Sequence, residues 1–315
     1  MDLSDLSPLI ITTSELRATG WTSSGIRRAV TGDRLIRLRR GSYCTASAWA
    51  ALDASERHVL YASAVSREVD GAVLCGLSAA AAWRVPLIVP LPHEVLLLTP
   101  YRGGGTSEPG VRRTVVGARG APVVERRGLR MTSLARTVVD IACSHGFRSG
   151  VVAMDWALAR GLGRDELFVA LDRRSSPRGS GAGYAAAEFA DARSESPGES
   201  LARAAMFEAG FTVPELQREL VDDEGVMRVD FWWPDVRVAG EFDGRVKYGP
   251  ELGGSEPGDA LWREKRREDR VRRQADGMVR LVWADLADRT RLAQLLQAAG
   301  VPRRRAFGPG NASSE

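Results

Sequence analysis

The stretch Arg228 to Tyr248, R-V-D-F-W-W-P-D-V-R-V-A-G-E-F-D-G-R-V-K-Y, decides the fold of the C-terminal part because it sets carboxylates among hydrophobes. It predicts two strands joined at Pro234-Asp235, with Val229, Phe231 and Trp233 alternating along the first and Val236, Val238 and Phe242 along the second. Pairing Trp233 with Val236 sets Asp230 opposite Ala239 and makes Glu241 its diagonal neighbour on the same face, roughly 7 Å away. Two carboxylates at that separation can share a divalent cation. A plainer reading stands beside this one. Asp243-Gly244 is a hairpin-turn dipeptide, and Asp230 fits a solvent-facing position of an amphipathic strand.

Outward from this stretch, Pro197-Gly198 leads into a helix over Glu199 to Ala209, closed by Gly210. Glu199 shares a face with Ala202 and Met206, so its carboxylate points along a mostly apolar surface. A strand over Glu215 to Val221 precedes the acidic hairpin. A Gly/Pro loop at 249–259, a charged helix over Ala260 to Asp276, a strand over Met278 to Trp283 and a helix over Asp285 to Ala299 follow. The order is α-β-β-β-α-β with a helical tail. In the charged helix Arg263, Lys265, Arg266, Arg267, Arg270, Arg272 and Arg273 alternate with Glu264, Glu268 and Asp269, which predicts a largely self-paired surface. Trp232, Trp233, Trp262 and Trp283 read as core residues.

The runs P-G-E-S-L-A-R, R-V-D-F-W-W, G-E-F-D-G-R-V-K-Y, E-K-R-R-E-D-R-V-R and V-R-L-V-W-A-D-L together resemble a bacterial family of restriction-endonuclease-like domains related to very-short-patch-repair endonucleases. The resemblance implies a metal-dependent DNA endonuclease. Glu199, Asp230 and Glu241 would hold Mg²⁺ or Mn²⁺, Asp243 would be a further ligand, and Lys247 would stand near the metal to orient water or stabilise the transition state. Two positions depart from the family pattern. Asp243 stands where a lysine is usual, and Lys247 stands where the short-patch-repair relatives carry histidine, so the general base stays open.

The first fifty residues carry a different plan. Thr13 or Ser14 can cap a helix through Ala18, Thr22 or Ser23 can cap a second over Gly25 to Val30, and Leu35 to Tyr43 alternates as strand, basic turn and return strand. Helix, tight turn, helix and basic hairpin describe a winged helix-turn-helix. Ser23, Ser24, Arg27 and Arg28 on the second helix would then face a major groove, and Arg37, Arg39 and Arg40 on the wing would reach phosphates. A solvated charged face or a protein-binding winged helix are the alternatives. The order T-T-S-E-L, G-W-T-S-S-G-I-R-R-A-V, L-I-R-L-R-R-G-S-Y resembles the N-terminal domain of AbiEi-type antitoxins, which implies promoter-DNA binding and a possible cognate toxin as partner.

Between these parts the chain predicts helices over Ser55 to Val69 and Leu77 to Trp83, strands over Val95 to Thr99 and Val111 to Val116, and a flexible Gly103-Gly104-Gly105 turn that no G-K-[ST] follows. Thr132 to Ala142, M-T-S-L-A-R-T-V-V-D-I-A with its preceding Met, also resembles the AbiEi-like group. Capping and an Arg136–Asp140 pair account for its polar residues, so Ser133, Asp140 and His145 need no catalytic role. Helices over Val151 to Arg160 and Asp165 to Arg173 precede the best linker, Ser175 to Gly183.

The expected architecture is therefore an α+β multidomain chain: a winged helix-turn-helix over 1–50, an AbiEi-like α/β middle domain over 51–193, a restriction-endonuclease-like domain over 194–303 and a disordered tail over 304–315. A net charge of +4 and a pI of about 9.2 permit a double-stranded DNA partner without requiring one. Three widely spaced cysteines, Cys44, Cys75 and Cys143, support neither a disulfide framework nor a zinc site. The N-terminus lacks a basic region followed by an apolar core, and the most apolar run, Val85 to Leu98, is broken by prolines. The expectation is a cytoplasmic protein with no membrane segment.

Overall fold

The computed structural model describes residues 6–99, 109–115, 120–244 and 257–304. The chain divides at Ala190/Asp191 into two compact units of mixed α and β structure.

Unit 1 starts with β1 (Ile11–Thr12), α1 (Thr13–Ala18), α2 (Ser23–Thr31), β2 (Leu35–Arg39) and β3 (Ser42–Thr45), whose strands form a sheet in the order β1-β3-β2. Thr12, one residue earlier than expected, caps α1 because Glu15 returns the bond to its N–H; Thr22 caps α2. Such caps contribute about 1 kcal/mol each. Gly41, at φ 81, makes the turn between β2 and β3.

Helices α3 (Ala46–Ala51), α4 (Ala54–Glu68) and α5 (Gly76–Trp83) follow without a break in packing. Leu6, Ile10, Leu38 and Cys44 bury themselves in the same core as Leu60, Leu74 and Leu97, so residue 50 is not a boundary between compact bodies. The parallel pair β4 (Val95–Thr99) and β5 (Val111–Val115) and the hairpin β6 (Val123–Arg126) and β7 (Leu129–Thr132) lead to α6 (Leu134–His145), α7 (Phe147–Leu158), α8 (Arg164–Asp172) and α9 (Ser180–Phe189). The Gly103-Gly104-Gly105 turn lies outside the described residues.

The Ser175 to Gly183 stretch does not link domains. It ends inside α9, and its glycines serve close packing: a Cβ on Gly179 would lie 1.9 Å from the Cys143 carbonyl oxygen, and one on Gly183 would lie 2.6 Å from Leu171 Cδ2. The unit ends at Ala190 instead of Arg193.

Unit 2 runs α10 (Pro197–Glu208), β8 (Glu215–Asp222), β9 (Gly225–Trp233), β10 (Val238–Phe242), α11 (Pro257–Gln274), β11 (Gly277–Leu281), α12 (Trp283–Ala287) and α13 (Arg289–Ala298). The expected final helix is thus two, separated at Asp288, which caps α13 by accepting from the N–H groups of Thr290 and Arg291. The sheet order is β11-β10-β9-β8, with β10 parallel to β11 and the other pairs antiparallel. One core joins Ala202 and Met206 of α10 to Phe231, Trp233, Leu281 and Leu296. A second joins Val271 of α11 to Leu220, Met227, Val229, Trp232 and Ala239. Residues from 305 onward, most of the tail expected to be disordered, lie outside the described residues, whereas Arg304 donates its N–H to the Gly210 carbonyl at 2.8 Å.

The acidic hairpin keeps its two strands but not the expected register. Trp233 pairs with Val238 instead of Val236, because Pro234–Val236 form a 3₁₀ turn and Arg237 takes the left-handed conformation at φ 49. The shift is two residues, so the slip itself turns no side chain to the other face. Asp230 therefore comes level with Glu241 instead of Ala239. No helix among the described residues is long and apolar enough to cross a membrane.

Candidate functional site

The start of α10 delivers Glu199. Pro197 occupies the first turn, where its missing N–H is no loss, and the Ser196 hydroxyl accepts from the Glu199 N–H at 3.1 Å. A Cβ on Gly198 would sit 2.0 Å from Cε1 of Phe242, so only glycine lets the helix begin this close to β10. Glu199 is buried, and its Oε2 accepts from Gln217 Nε2 at 2.8 Å and from the Glu195 N–H at 3.0 Å. The second of these bonds also serves the helix start, a purely structural task.

Asp230 lies on β9, half-buried, with its Oδ2 accepting the Phe242 N–H at 2.8 Å. Desolvation pushes its carboxyl up from the usual 3.8 to about 6; the Phe242 N–H opposes this, while the nearby charges of Glu199 and Glu241 add to it and Arg267 subtracts. Those effects place Glu199 and Glu241 each within electrostatic reach of Asp230.

Glu241, on β10, is buried and held by two guanidiniums. Arg267 Nη1 of α11 donates to Oε1 at 2.6 Å, and Arg280 Nη2, its Cα partner on β11, donates to Oε2 at 3.2 Å. Arg267 Nη2 also donates to the Arg228 carbonyl at 2.6 Å, tying α11 to β9. Asp243, half-buried just beyond β10, donates its N–H to the Leu281 carbonyl at 2.8 Å. Lys247 lies outside the described residues.

The backbone at this site is unusual. Gln217 sits in β8 at φ 55, a left-handed conformation for a residue that is not glycine. Its neighbours Leu216 and Arg218 pair with Phe231 and Val229, so it stands across from Asp230. Along β9 the core-facing side changes at the same level. Met227 and Val229 pack toward α11, whereas Phe231 and Trp233 pack toward α10. Strain of this kind amounts to roughly 1–3 kcal/mol and is held where surrounding contacts over-determine it.

The donor chemistry, three carboxylates with hard oxygens, suits Mg²⁺ or Mn²⁺. Among the described residues no three acidic, histidine or cysteine groups converge on one point as ligands, and the charge of Glu241 is already neutralised by Arg267 and Arg280. A cation here would have to displace at least one guanidinium. Glu199, Asp230 and Glu241 were legible in the sequence as an acidic set. Gln217, Arg267 and Arg280 were not, since 18, 26 and 39 residues separate each from the acid it contacts.

Trp232 and Trp233 are buried as expected. Trp283 corrects the expectation: it is 38% exposed and meets Phe242 edge-on at 5.2 Å, beside the acids. The side chain of Trp262 lies outside the described residues. The α11 arginines are paired, but mostly not within the helix as the alternating charges suggested: Arg272 pairs with Glu268 of α11, whereas Arg270 pairs with Asp222 and Arg266 and Arg273 pair with Glu224, at the β8–β9 turn.

In unit 1, Ser23, Ser24, Arg27 and Arg28 of α2 and Arg37 and Arg40 of the β2–β3 turn region are exposed. Arg39 is not available in the same way. Its side chain is 12% exposed, its Nε donates to Glu68 Oε2 at 2.9 Å, and its Nη1 donates to the Pro109 carbonyl at 2.8 Å. Simple alternation would set Arg37 and Arg39 on one face, but the register shifts between them.

No protein-family model matches the chain. It is 36% identical over 144 residues to two uncharacterised Mycobacterium tuberculosis proteins, MT2308 and Rv2248, a match covering 43% of this chain and 53% of each relative. The chain thus spans about half the length of the curated relatives it matches. A crystal structure of the RV2827C protein from Mycobacterium tuberculosis aligns over 70% of this chain and 86% of its own, with 17% identity and a TM-score of 0.37.

Proposed function

We propose that residues 6–50 form a winged helix-turn-helix that binds double-stranded DNA, and that unit 2 is a restriction-endonuclease-like domain that hydrolyses DNA phosphodiesters with Mg²⁺ or Mn²⁺. The carrying observation is that Asp230, pushed up to about 6 by burial, stands level with Glu241 and across from Gln217, which holds Glu199, although the three acids do not converge as ligands among the described residues. A domain with a purely structural task gains nothing from desolvating several carboxylates together.

In this reading Glu199, Asp230 and Glu241 would hold the ion, with Asp243 adjoining. The ion, when bound, would neutralise phosphate charge and lower the pKa of a bound water. The chain's own part is to keep Asp230 ionised, which its carboxyl reaches only above about pH 6, and to present guanidiniums to phosphate oxygens. Arg267 and Arg280 are those guanidiniums, already at the site on Glu241. Lys247 keeps the role the family resemblance implies, beside the ion. In unit 1, Arg27 and Arg28 would enter the groove with Ser23 and Ser24, while Arg37 and Arg40 would grip phosphates. Arg39 is left out of this set because of its Glu68 pair.

One observation favours a second reading. Because two arginines neutralise Glu241 and Asp243 stands at the usual lysine position, unit 2 would instead be a non-catalytic nuclease fold in a transcriptional regulator or antitoxin, with a cognate toxin as partner. Plasmid nicking by the purified full chain with Mg²⁺ or Mn²⁺, beside Asp230→Ala and Glu241→Ala, separates the two. Metal-dependent nicking lost in both variants supports the nuclease. Nicking unchanged in both variants, or none with either metal, rejects it.

A further inference from the structure

Unit 1 contains a charged cavity that the proposed DNA and nuclease functions leave unused. It measures about 450 Å³ and lies among the first residues of α5, the β4–β5 pair, α6 and the α8–α9 connection. That volume is in the range of small-ligand sites.

Its charge is unbalanced where burial makes imbalance expensive. Asp140 Oδ2 accepts from Arg136 Nε at 2.8 Å, and Asp140 Oδ1 accepts from Arg174 Nε at 3.2 Å. The side chains of the two arginines are each 11% exposed and that of Asp140 is 16% exposed. One carboxylate therefore answers two nearly buried guanidiniums; Arg174 Nη1 also donates to the Ser176 and Arg178 carbonyls at 3.4 and 3.2 Å, so the unanswered positive charge rests chiefly on Arg136. Arg136 makes no further side-chain hydrogen bond among the described residues, so its two terminal nitrogens have donors to spare. Arg112, which also lines the cavity, stands at its more exposed rim, 3.6 Å from Glu94. Ser144 and Ser176 add hydroxyls, and Leu96, Leu98 and Ile141 add an apolar wall.

We infer that this cavity binds a small organic phosphate monoester, its phosphate between Arg136, Arg174 and Arg112 and its organic body against the leucine wall. The three terminal oxygens of a phosphate match guanidinium forks plus hydroxyl donors better than a carboxylate's two do. The bound dianion supplies the counter-charge that Asp140 alone does not. The site is separate from the acids of unit 2, so it stands whether or not the chain cleaves DNA.

Calorimetric titration of the full chain at matched ionic strength tests this with three probes: inorganic phosphate, adenosine 5′-monophosphate and adenosine. The expected result is saturable binding of one adenosine monophosphate per chain, weaker binding of inorganic phosphate, and none of adenosine. Arg136→Gln leaves Arg174 and Asp140 as a one-to-one pair and should weaken phosphate binding by tenfold or more, the loss of a charge-assisted bond. Arg112→Gln, at the exposed rim, should weaken it by a few-fold and serves as the deciding variant if Arg136→Gln does not fold. Absence of saturable binding by both phosphates, equal binding of adenosine and its monophosphate, or unchanged affinity in the folded variants would each overturn the proposal.

Discussion

Asp230 is an acid that the fold holds at some expense. Its carboxyl ionises near pH 3.8 when unperturbed and near 6 in the folded chain. The folded state therefore binds the proton more tightly than the unfolded state does, and stability falls as pH rises from about 4 to about 6, with the penalty fully present at pH 7. Asp230→Asn keeps an oxygen for the Phe242 N–H and removes the charge. Urea unfolding should find it more stable than the wild type at pH 7 by about 1–2 kcal/mol after allowance for solvent screening, with the gap closing near pH 4. A gap independent of pH would mean that Asp230 is not the group being desolvated. A residue whose removal stabilises the chain while abolishing nicking is the signature of a functional group.

Among the elements, the packing of α10 on β10 does most to assemble the site, and it depends on Gly198. Gly198→Ala would drive its Cβ into the Phe242 ring, which is itself wedged against Trp283. The expected loss is about 1–3 kcal/mol in urea unfolding, the range for overpacking a well-filled interior. The guanidiniums on Glu241 set a second test. Arg267→Gln frees one oxygen of that carboxylate, so Mn²⁺ affinity measured by titration calorimetry should rise several-fold, each tenfold corresponding to about 1.4 kcal/mol. Unchanged affinity would show that Glu241 is not a ligand.

These contacts mark where the sequence stops being informative. Caps at Thr22 and Ser133 and the acidic residues of the hairpin could be read directly, since they are local signals. Helix α9 could not, because glycines that permit close packing and glycines that permit flexibility are the same letters. Nor could the left-handed Gln217 or the grip of Arg267 and Arg280, which depend on strands and a helix brought together from distant positions. The hairpin register lies two residues from the one a tight turn would set, because a 3₁₀ turn starting at Pro234 uses more chain.

At the scale of the whole molecule, the proposed function assigns DNA recognition to the exposed arginines of α2 and chemistry to the acids of unit 2. Replacing Arg27 and Arg28 together by alanine should weaken duplex binding in a gel shift and flatten its salt dependence. The slope of log affinity on log salt should fall by about one for each phosphate that an arginine no longer neutralises. Asp230→Ala should leave that slope unchanged. An unaltered slope in the arginine variant would reject the placement of the recognition helix.

The two-residue slip in the acidic hairpin carries a rule about which relatives of this chain can keep the site. Side chains on a strand obey parity, so the connection from Trp233 to Val238 can grow or shrink by two residues and still leave Asp230 and Glu241 on one face. A single-residue insertion or deletion that the turn does not absorb would slide the β9–β10 register by one and send one acid through to the opposite face. Length variation in this turn should therefore come in even steps wherever the acids are retained, and odd steps should coincide with their loss.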